Sequence, residues 1–268
     1  MKPPVRFTAF PLAFLLASCL AWADWKPVGE RISTRWAKEV TPDNAWREYP
    51  RPQMVRKQWQ NLNGLWNYAV RLRDAPENNG APKTWNGKIL VPFCIESSLS
   101  GVGRLLQPSE ELWYERTFEV STTDNRQLLH FEAVDYRCEV WINGQSVGTH
   151  TGGSTPFSFD VTRAVVKGKN TIQVKVIDET ADHQLRGKQI LRPHAIYYTR
   201  VSGIWQTVWL ETVPKTYVKS LRIDTNAAKG TIDVKAEIDG NIDAAPSVKM
   251  TASFEGQEIG SASGSIKG

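Results

Sequence analysis

Cysteine and histidine are too few and too scattered in this chain to build a metal centre. The cysteines are Cys19, Cys94 and Cys138, and the four histidines, His130, His150, His183 and His194, never stand at zinc-ligand spacing with them. No G-x-S-x-G elbow occurs, and neither Cys94 nor Cys138 has a histidine neighbour, so hydroxyl and thiol nucleophiles get no support. Gly101-Val102-Gly103 lacks the third glycine and the helix signal of a dinucleotide fingerprint. Neither a metal nor a cofactor is expected. Lysine and arginine are interspersed with acids, with no basic stripe, which argues against nucleic acid as a partner. No apolar run is long enough for a membrane span.

What is present points to an exported β protein. "MKPPVRFTAFPLAFLLASCLAWAD" places Lys2 and Arg6 before an apolar run from Phe7 to Leu16 and then small residues, the layout of a secretory signal. Ala21-Trp22-Ala23 fits the cleavage site and leaves Asp24 as the mature start. A competing lipobox reading of Leu16-Ala17-Ser18-Cys19 would instead anchor the chain through a lipidated Cys19. Both readings export the protein, to the periplasm or beyond. Removing residues 1–23 takes two cations and no acid, so the formal charge of +5 becomes +3. In an oxidising compartment Cys94 and Cys138 either pair or sit as small buried side chains, the second reading being preferred. Eleven tryptophans are many for 268 residues. Most are expected in the core, with stacking platforms for sugar rings as the alternative use.

From Asp24 to about Arg56 the chain is rich in Pro, Trp and charge without a sustained period, which reads as a leader wrapping the next domain. Alternating strand-like runs follow from near Leu65 and at 88–91, 112–120, 128–133, 137–142, 157–161, 171–178 and 204–211. They are short and separated by Gly, Asn, Asp and Pro, the pattern of a sandwich. In "YRCEVWINGQSVGTHTGGSTPFSFDVT", Asn143-Gly144 predicts a two-residue hairpin turn with positive φ at both positions. Cys138, Val140 and Ile142 then share one face of the strand before it, and Glu139 and Trp141 the other. Gly152-Gly153 predicts a close backbone approach or a positive φ, and Phe157 and Phe159 anchor the return strand. "DVTRAVVKGKN" predicts one short helical turn capped by Thr162 and ended by Gly168. Pro214 marks a boundary. Beyond it "YVKSLRIDT", "GTIDVKAEID" and "SVKMTASFEG" read as three strands, and "SASGSIKG" closes the sequence without a terminating feature, as though the sheet were incomplete.

"LNGLWNY", "ILVPFCIESSLSGV", "LWYERTFEV", "FEAVDYRCEVWINGQSVGTHTGGSTPFSFDVT" and "VSGIWQTVWLE" resemble, in order, the N-terminal sugar-binding domain of family 2 glycoside hydrolases. That is the β-galactosidase, β-glucuronidase and β-mannosidase group. The resemblance implies an all-β fold: a jelly-roll, galactose-binding-like sandwich over residues 24–213, then a partial immunoglobulin-like sandwich over 214–268. It implies retaining hydrolysis of β-linked glycosides, with two glutamates on a barrel that follows the second domain. The acid/base glutamate of that family follows an asparagine, and this sequence contains no Asn-Glu pair. The chain itself is therefore expected to hydrolyse nothing, and the barrel would be its intramolecular partner.

Some members of that family carry an acid six positions before the glycine matching Gly203, where this chain has Tyr197. Sugar contact is thus not carried over directly. The long polar segment Asp178 to Arg200 offers Asp178, Asp182, His183, Arg186, Tyr197, Tyr198 and Arg200 as carbohydrate-facing or barrel-facing candidates. Glu96 and Ser97 form a second candidate edge. The rival expectation is a stand-alone carbohydrate-binding module.

Overall fold

The computed structural model describes residues 25–29, 33–241 and 247–266, and the expected signal segment with Cys19 lies outside them. Sixteen strands carry the chain: β1 (Trp59–Asn61), β2 (Gly64–Leu72), β3 (Gly87–Val91), β4 (Glu110–Val120), β5 (Arg126–Phe131), β6 (Val134–Asp135), β7 (Arg137–Ile142), β8 (Gln145–Thr151), β9 (Phe157–Asp160), β10 (Gly168–Ile177), β11 (Gly203–Ile204), β12 (Val208–Val213), β13 (Tyr217–Asn226), β14 (Thr231–Asp239), β15 (Ser247–Phe254) and β16 (Gln257–Ser265). Among the described residues the helices are three short 3₁₀ pieces, Arg35–Glu39, Pro52–Met54 and Ser98–Ser100. A four-stranded sheet, β1-β12-β5-β9, faces a six-stranded one, β3-β2-β4-β10-β7-β8, and together they make a β-sandwich.

Period-two alternation sets the core. In β10, Asn170, Ile172, Val174 and Val176 are buried while Thr171, Gln173 and Lys175 face outward. Val174 pairs with Tyr114 on one side and Val140 on the other, so the inward residues of three strands meet in one layer. Burying each such aliphatic side chain contributes roughly 1.5–3 kcal/mol. The outward face is knit by Gln173 donating to Glu115 at 2.9 Å and by the Lys175–Glu139 ion pair at 3.2 Å.

The Asn143-Gly144 turn has φ of 52° and 81°, as its sequence predicts. Asn143 also reaches beyond the hairpin: its amide donates to Ala164 O and Asn170 Oδ1, and its carbonyl oxygen accepts the Thr171 amide. The tip of the hairpin is thereby tied to the start of β10.

Four expectations change. The segment after Thr162 is a single turn closed by Val165 N on Val161 O, and the Thr162 hydroxyl accepts from the Gln127 amide instead of capping a helix. The run 204–211 breaks into β11 and β12. Beyond Pro214, where three strands are expected, a fourth is present: β16, which pairs with β15, because ladder hydrogen bonds need no side-chain signal. Finally, among the described tryptophans only Trp66, Trp113 and Trp209 are buried; Trp36 and Trp46 are exposed and the others are half-buried. An indole carries an N–H that wants a partner, and half-buried Trp205 finds one in Gly153 O at 2.7 Å. Trp141 stacks on Trp113 at 5.2 Å on the outer sheet face, with Lys175 over both rings.

The leader is fastened by charge. Glu211 on β12 is fully buried and accepts from Arg51 at 2.7 and 2.9 Å and from Tyr49 at 2.7 Å, with Arg56 at 3.4 Å. His130 Nε2 lies 3.3 Å away without hydrogen-bond geometry. Burial pushes the Glu211 carboxyl up, but the hydrogen bonds from Tyr49 and Arg51 and the Arg51 charge outweigh it and hold the group at about 2. Cys94 and Cys138 are free thiols, each pushed up to about 12 by burial.

After β12, the ribbons β13-β14 and β15-β16 are separate two-stranded sheets.

Candidate functional site

β10 ends at Ile177, and the chain then makes a long excursion before β11. Asp178, the first residue of that loop, is buried and accepts from the Thr180 amide at 2.9 Å and the Ser202 hydroxyl at 2.7 Å. The Ser202 amide in turn donates to Glu96 Oε2 at 2.9 Å, and the Leu106 amide to Glu96 Oε1 at 3.3 Å. Two carboxylates thus bind three loops together. A third, Asp135 at the end of β6, is buried beside them and takes a hydrogen bond from Gln189 of the long loop. Gly153 lies directly against Asp135: a Cβ there would stand 2.4 Å from its carboxyl carbon. The close approach expected of Gly152-Gly153 therefore has an identified neighbour.

Three buried carboxylates repel one another. Burial, then the charges of Asp178 and Glu96, push Asp135 up to about 7 against the Gln189 hydrogen bond. Burial also raises Glu96, opposed by the Ser202 and Leu106 amides.

The loop above them is held by its own backbone and by one buried cation. Ile190 N donates to Tyr198 O at 3.2 Å, Tyr198 N to Lys188 O at 3.1 Å, and Tyr197 N to His194 O at 2.9 Å. Arg200 is buried, donating to Leu106 O at 2.9 Å and to Leu191 O at 3.4 Å. Gln189 Oε1 accepts the Val201 amide at 2.5 Å.

The candidates read from the sequence fall into two groups. Glu96, Asp178 and Arg200 lie below the surface with their polar atoms engaged by the protein, and the half-buried Ser97 uses its hydroxyl to accept the Leu99 amide. Asp182, His183, Tyr197 and Tyr198 are exposed. Arg186 pairs with Asp182 and donates to Gln189 O, and His183 Nε2 lies 3.8 Å from Glu179. The two tyrosines share their loop with other exposed apolar side chains, Leu185, Leu191 and Ile196, of which Leu185 is 90% exposed. Asp135 was missed in the sequence. It stands between two strand-like runs, and nothing local marks a carboxylate whose neighbours arrive from positions 96, 153, 178 and 189.

Chemically the arrangement holds and presents. The carboxylate trio is buried, and it fixes the base of a loop whose crown is apolar and aromatic. Among the described residues, no group of three or more His, Cys, Asp or Glu could hold a metal ion, and no helix is long and apolar enough to cross a membrane.

Comparison with known proteins agrees with this fold. Residues 104–214 match the sugar-binding domain of glycosyl hydrolases family 2. A putative beta-glucuronidase of Formosa agariphila is 29% identical over 192 residues, which is 68% of this chain and 21% of that protein. A beta-galactosidase of Thermoanaerobacter pseudethanolicus is 30% identical over 151 residues, 55% of this chain and 18% of that one. Among solved structures, the beta-glucuronidase of Faecalibacterium prausnitzii superposes with a TM-score of 0.59 at 22% identity, covering 82% of this chain and 42% of that one. That of Bifidobacterium dentium, complexed with coumarin-3-O-glucuronide, gives 0.60 at 19% identity, with 80% and 41% covered. The chain thus spans well under half the length of these proteins. The matched segment, which holds β4 to β12 and the long loop over the buried carboxylates, is thus similar to the sugar-binding domain of glycosyl hydrolases family 2.

Proposed function

We infer that this chain is the non-catalytic N-terminal part of an exported family 2 glycosidase acting on β-linked glycosides. In this reading residues 24–213 form the jelly-roll domain and 214–268 begin an immunoglobulin-like one. The catalytic glutamates belong to a barrel outside the 268 residues, and the loop 178–200 packs against that barrel beside its sugar pocket. The observation that carries the reading is the crown of the loop. Leu185, Leu191, Ile196, Tyr197 and Tyr198 project from a base fixed by Arg200 and the buried carboxylates. A rigid, apolar protrusion of this kind is suited to burial against another protein surface. The signal-like N-terminus supports export.

The test is the gene product continued past codon 268, assayed on 4-nitrophenyl β-glucuronide, β-galactoside and β-mannoside. A reading frame that encodes a barrel with an Asn-Glu pair, and hydrolysis of one of these substrates, support the proposal. A stop codon directly after Gly268 overturns the glycosidase and leaves the carbohydrate-binding module. In an active enzyme, Ile196→Asp should lower kcat/KM at least about tenfold if the loop is buried against the barrel. An unchanged value removes the interface.

A further inference from the structure

Away from the long loop, the leader builds one wall of an open cleft of about 550 Å³. Asn44, Trp46 and Glu48 line it on the leader side, and Glu132, Gln206 and Thr207 line it from the sandwich. Trp46 is 55% exposed and has a φ of 48°, a conformation that a bulky side chain adopts rarely. The body of the domain enforces it. Asn61 and Asn63 donate to the Trp46 carbonyl at 2.7 and 2.9 Å, and the fully buried Asn63 is itself anchored to the Val208 amide at 3.0 Å. The other exposed indole, Trp36, is covered by the Arg35 guanidinium at 4.5 Å. Trp46 has no ring or cation partner among the described residues.

The polar groups around this indole are equally unspent. Glu132 Oε1 accepts the Trp209 indole N–H at 2.9 Å, which fixes the carboxylate and leaves its second oxygen without a partner among the described residues. The side chains of Glu48 and Gln206 make no hydrogen bond among the described residues. A flat aromatic face flanked by two carboxylates and an amide matches a pyranose: the ring's C–H face lies on the indole, and neighbouring hydroxyls donate to the carboxylates. No lysine or arginine lines the cleft, so a uronate would meet two like charges.

We propose that the Trp46 cleft binds a neutral pyranose unit of a glycan, at a site separate from the loop 178–200. The proposal does not depend on the barrel, and its test distinguishes the two surfaces. The full 268-residue chain is titrated calorimetrically with cellohexaose, xylohexaose, mannohexaose and galactohexaose, and with an oligogalacturonate. At least one neutral hexaose should bind with a Kd of about 1 mM or tighter, and the oligogalacturonate should not. Trp46→Ala should weaken that binding at least about tenfold, and Trp46→Phe should keep it within about threefold. Glu48→Ala, on an exposed side chain that holds no structure together, should also weaken it, which keeps the test valid if Trp46→Ala disturbs the leader. Tyr197→Ala should leave it unchanged. Absence of binding by all four hexaoses, or wild-type affinity in both Trp46→Ala and Glu48→Ala, overturns the site. Binding abolished by Tyr197→Ala alone assigns the sugar to the loop instead.

Discussion

Asp135→Asn should make the protein more stable at pH 8 and flatten its stability between pH 4 and 7. In the folded chain burial and two neighbouring carboxylates hold Asp135 at about 7, against an ordinary value of 3.8. The raised value means that the folded state binds more protons than the unfolded one between those limits, so stability falls as pH rises through them. About three pKa units at about 1.4 kcal/mol each give a cost of about 4 kcal/mol, reached above pH 7 and absent below pH 4. Glu96 is raised as well and adds a slope of the same sign that the variant retains. Glu211, held at about 2, acts in the opposite sense, but its contribution changes only below about pH 4.5 and leaves the window clear. Asparagine keeps the shape and can still pair with Gln189 while removing the charge. The assay is urea unfolding of both proteins at pH 4.5, 6 and 8. The variant should gain on the wild type by roughly 2–3 kcal/mol between the ends of that series. Parallel stability curves would refute the assignment of a buried, repelled carboxylate to Asp135.

The remaining predictions concern packing and the leader. Glu211→Gln removes a buried anion shared by Arg51, Arg56 and Tyr49, and should cost roughly 3–5 kcal/mol at pH 7 in denaturant unfolding while making Arg51 and Arg56 sensitive to trypsin. The wild-type stabilisation from this carboxylate should be lost as pH falls from about 4.5 towards 2. Gly153→Ala drives a methyl into the Asp135 carboxyl and should lower stability by about 1–3 kcal/mol; the double variant with Asp135→Ala should recover part of that loss. Tyr198→Ala, on the exposed crown of the loop, should leave the unfolding free energy of the isolated chain within about 0.5 kcal/mol.

How far the sequence could be read depended on whether a feature is local. The strands of the sandwich were legible because alternation along β7 and β10 records which side faces the core, and Asn143-Gly144 records the turn between β7 and β8 in two residues. β8 itself lay outside the runs read from the sequence, because its polar, glycine-containing side chains leave only backbone pairing to define it. Gln145–Thr151 is a strand by its ladder to β7. The tryptophans misled for a related reason. Their number is visible, but whether an indole is buried, stacked on a sheet face or set open on a strained backbone depends on residues far away in the chain. The loop 178–200 was found by its length and polarity, yet its members were not sorted. Asp178 and Arg200 look as free in the sequence as Asp182 and His183, and only the arrival of Ser202 and Leu106 separates the buried pair from the exposed one.

Alternation and turn chemistry by themselves determined that this chain folds as a β-sandwich. Each depends on neighbours one to four positions apart, and such neighbours are written consecutively. Tertiary structure alone decided which polar residues are available. It closed Glu96, Asp135 and Asp178 into a mutually repelling cluster, fastened the leader to Glu211, and left Trp46 exposed above two carboxylates. Burial, charge repulsion and backbone strain arise between segments up to about 160 positions apart, such as Arg51 and Glu211, and no local pattern encodes distances of that kind.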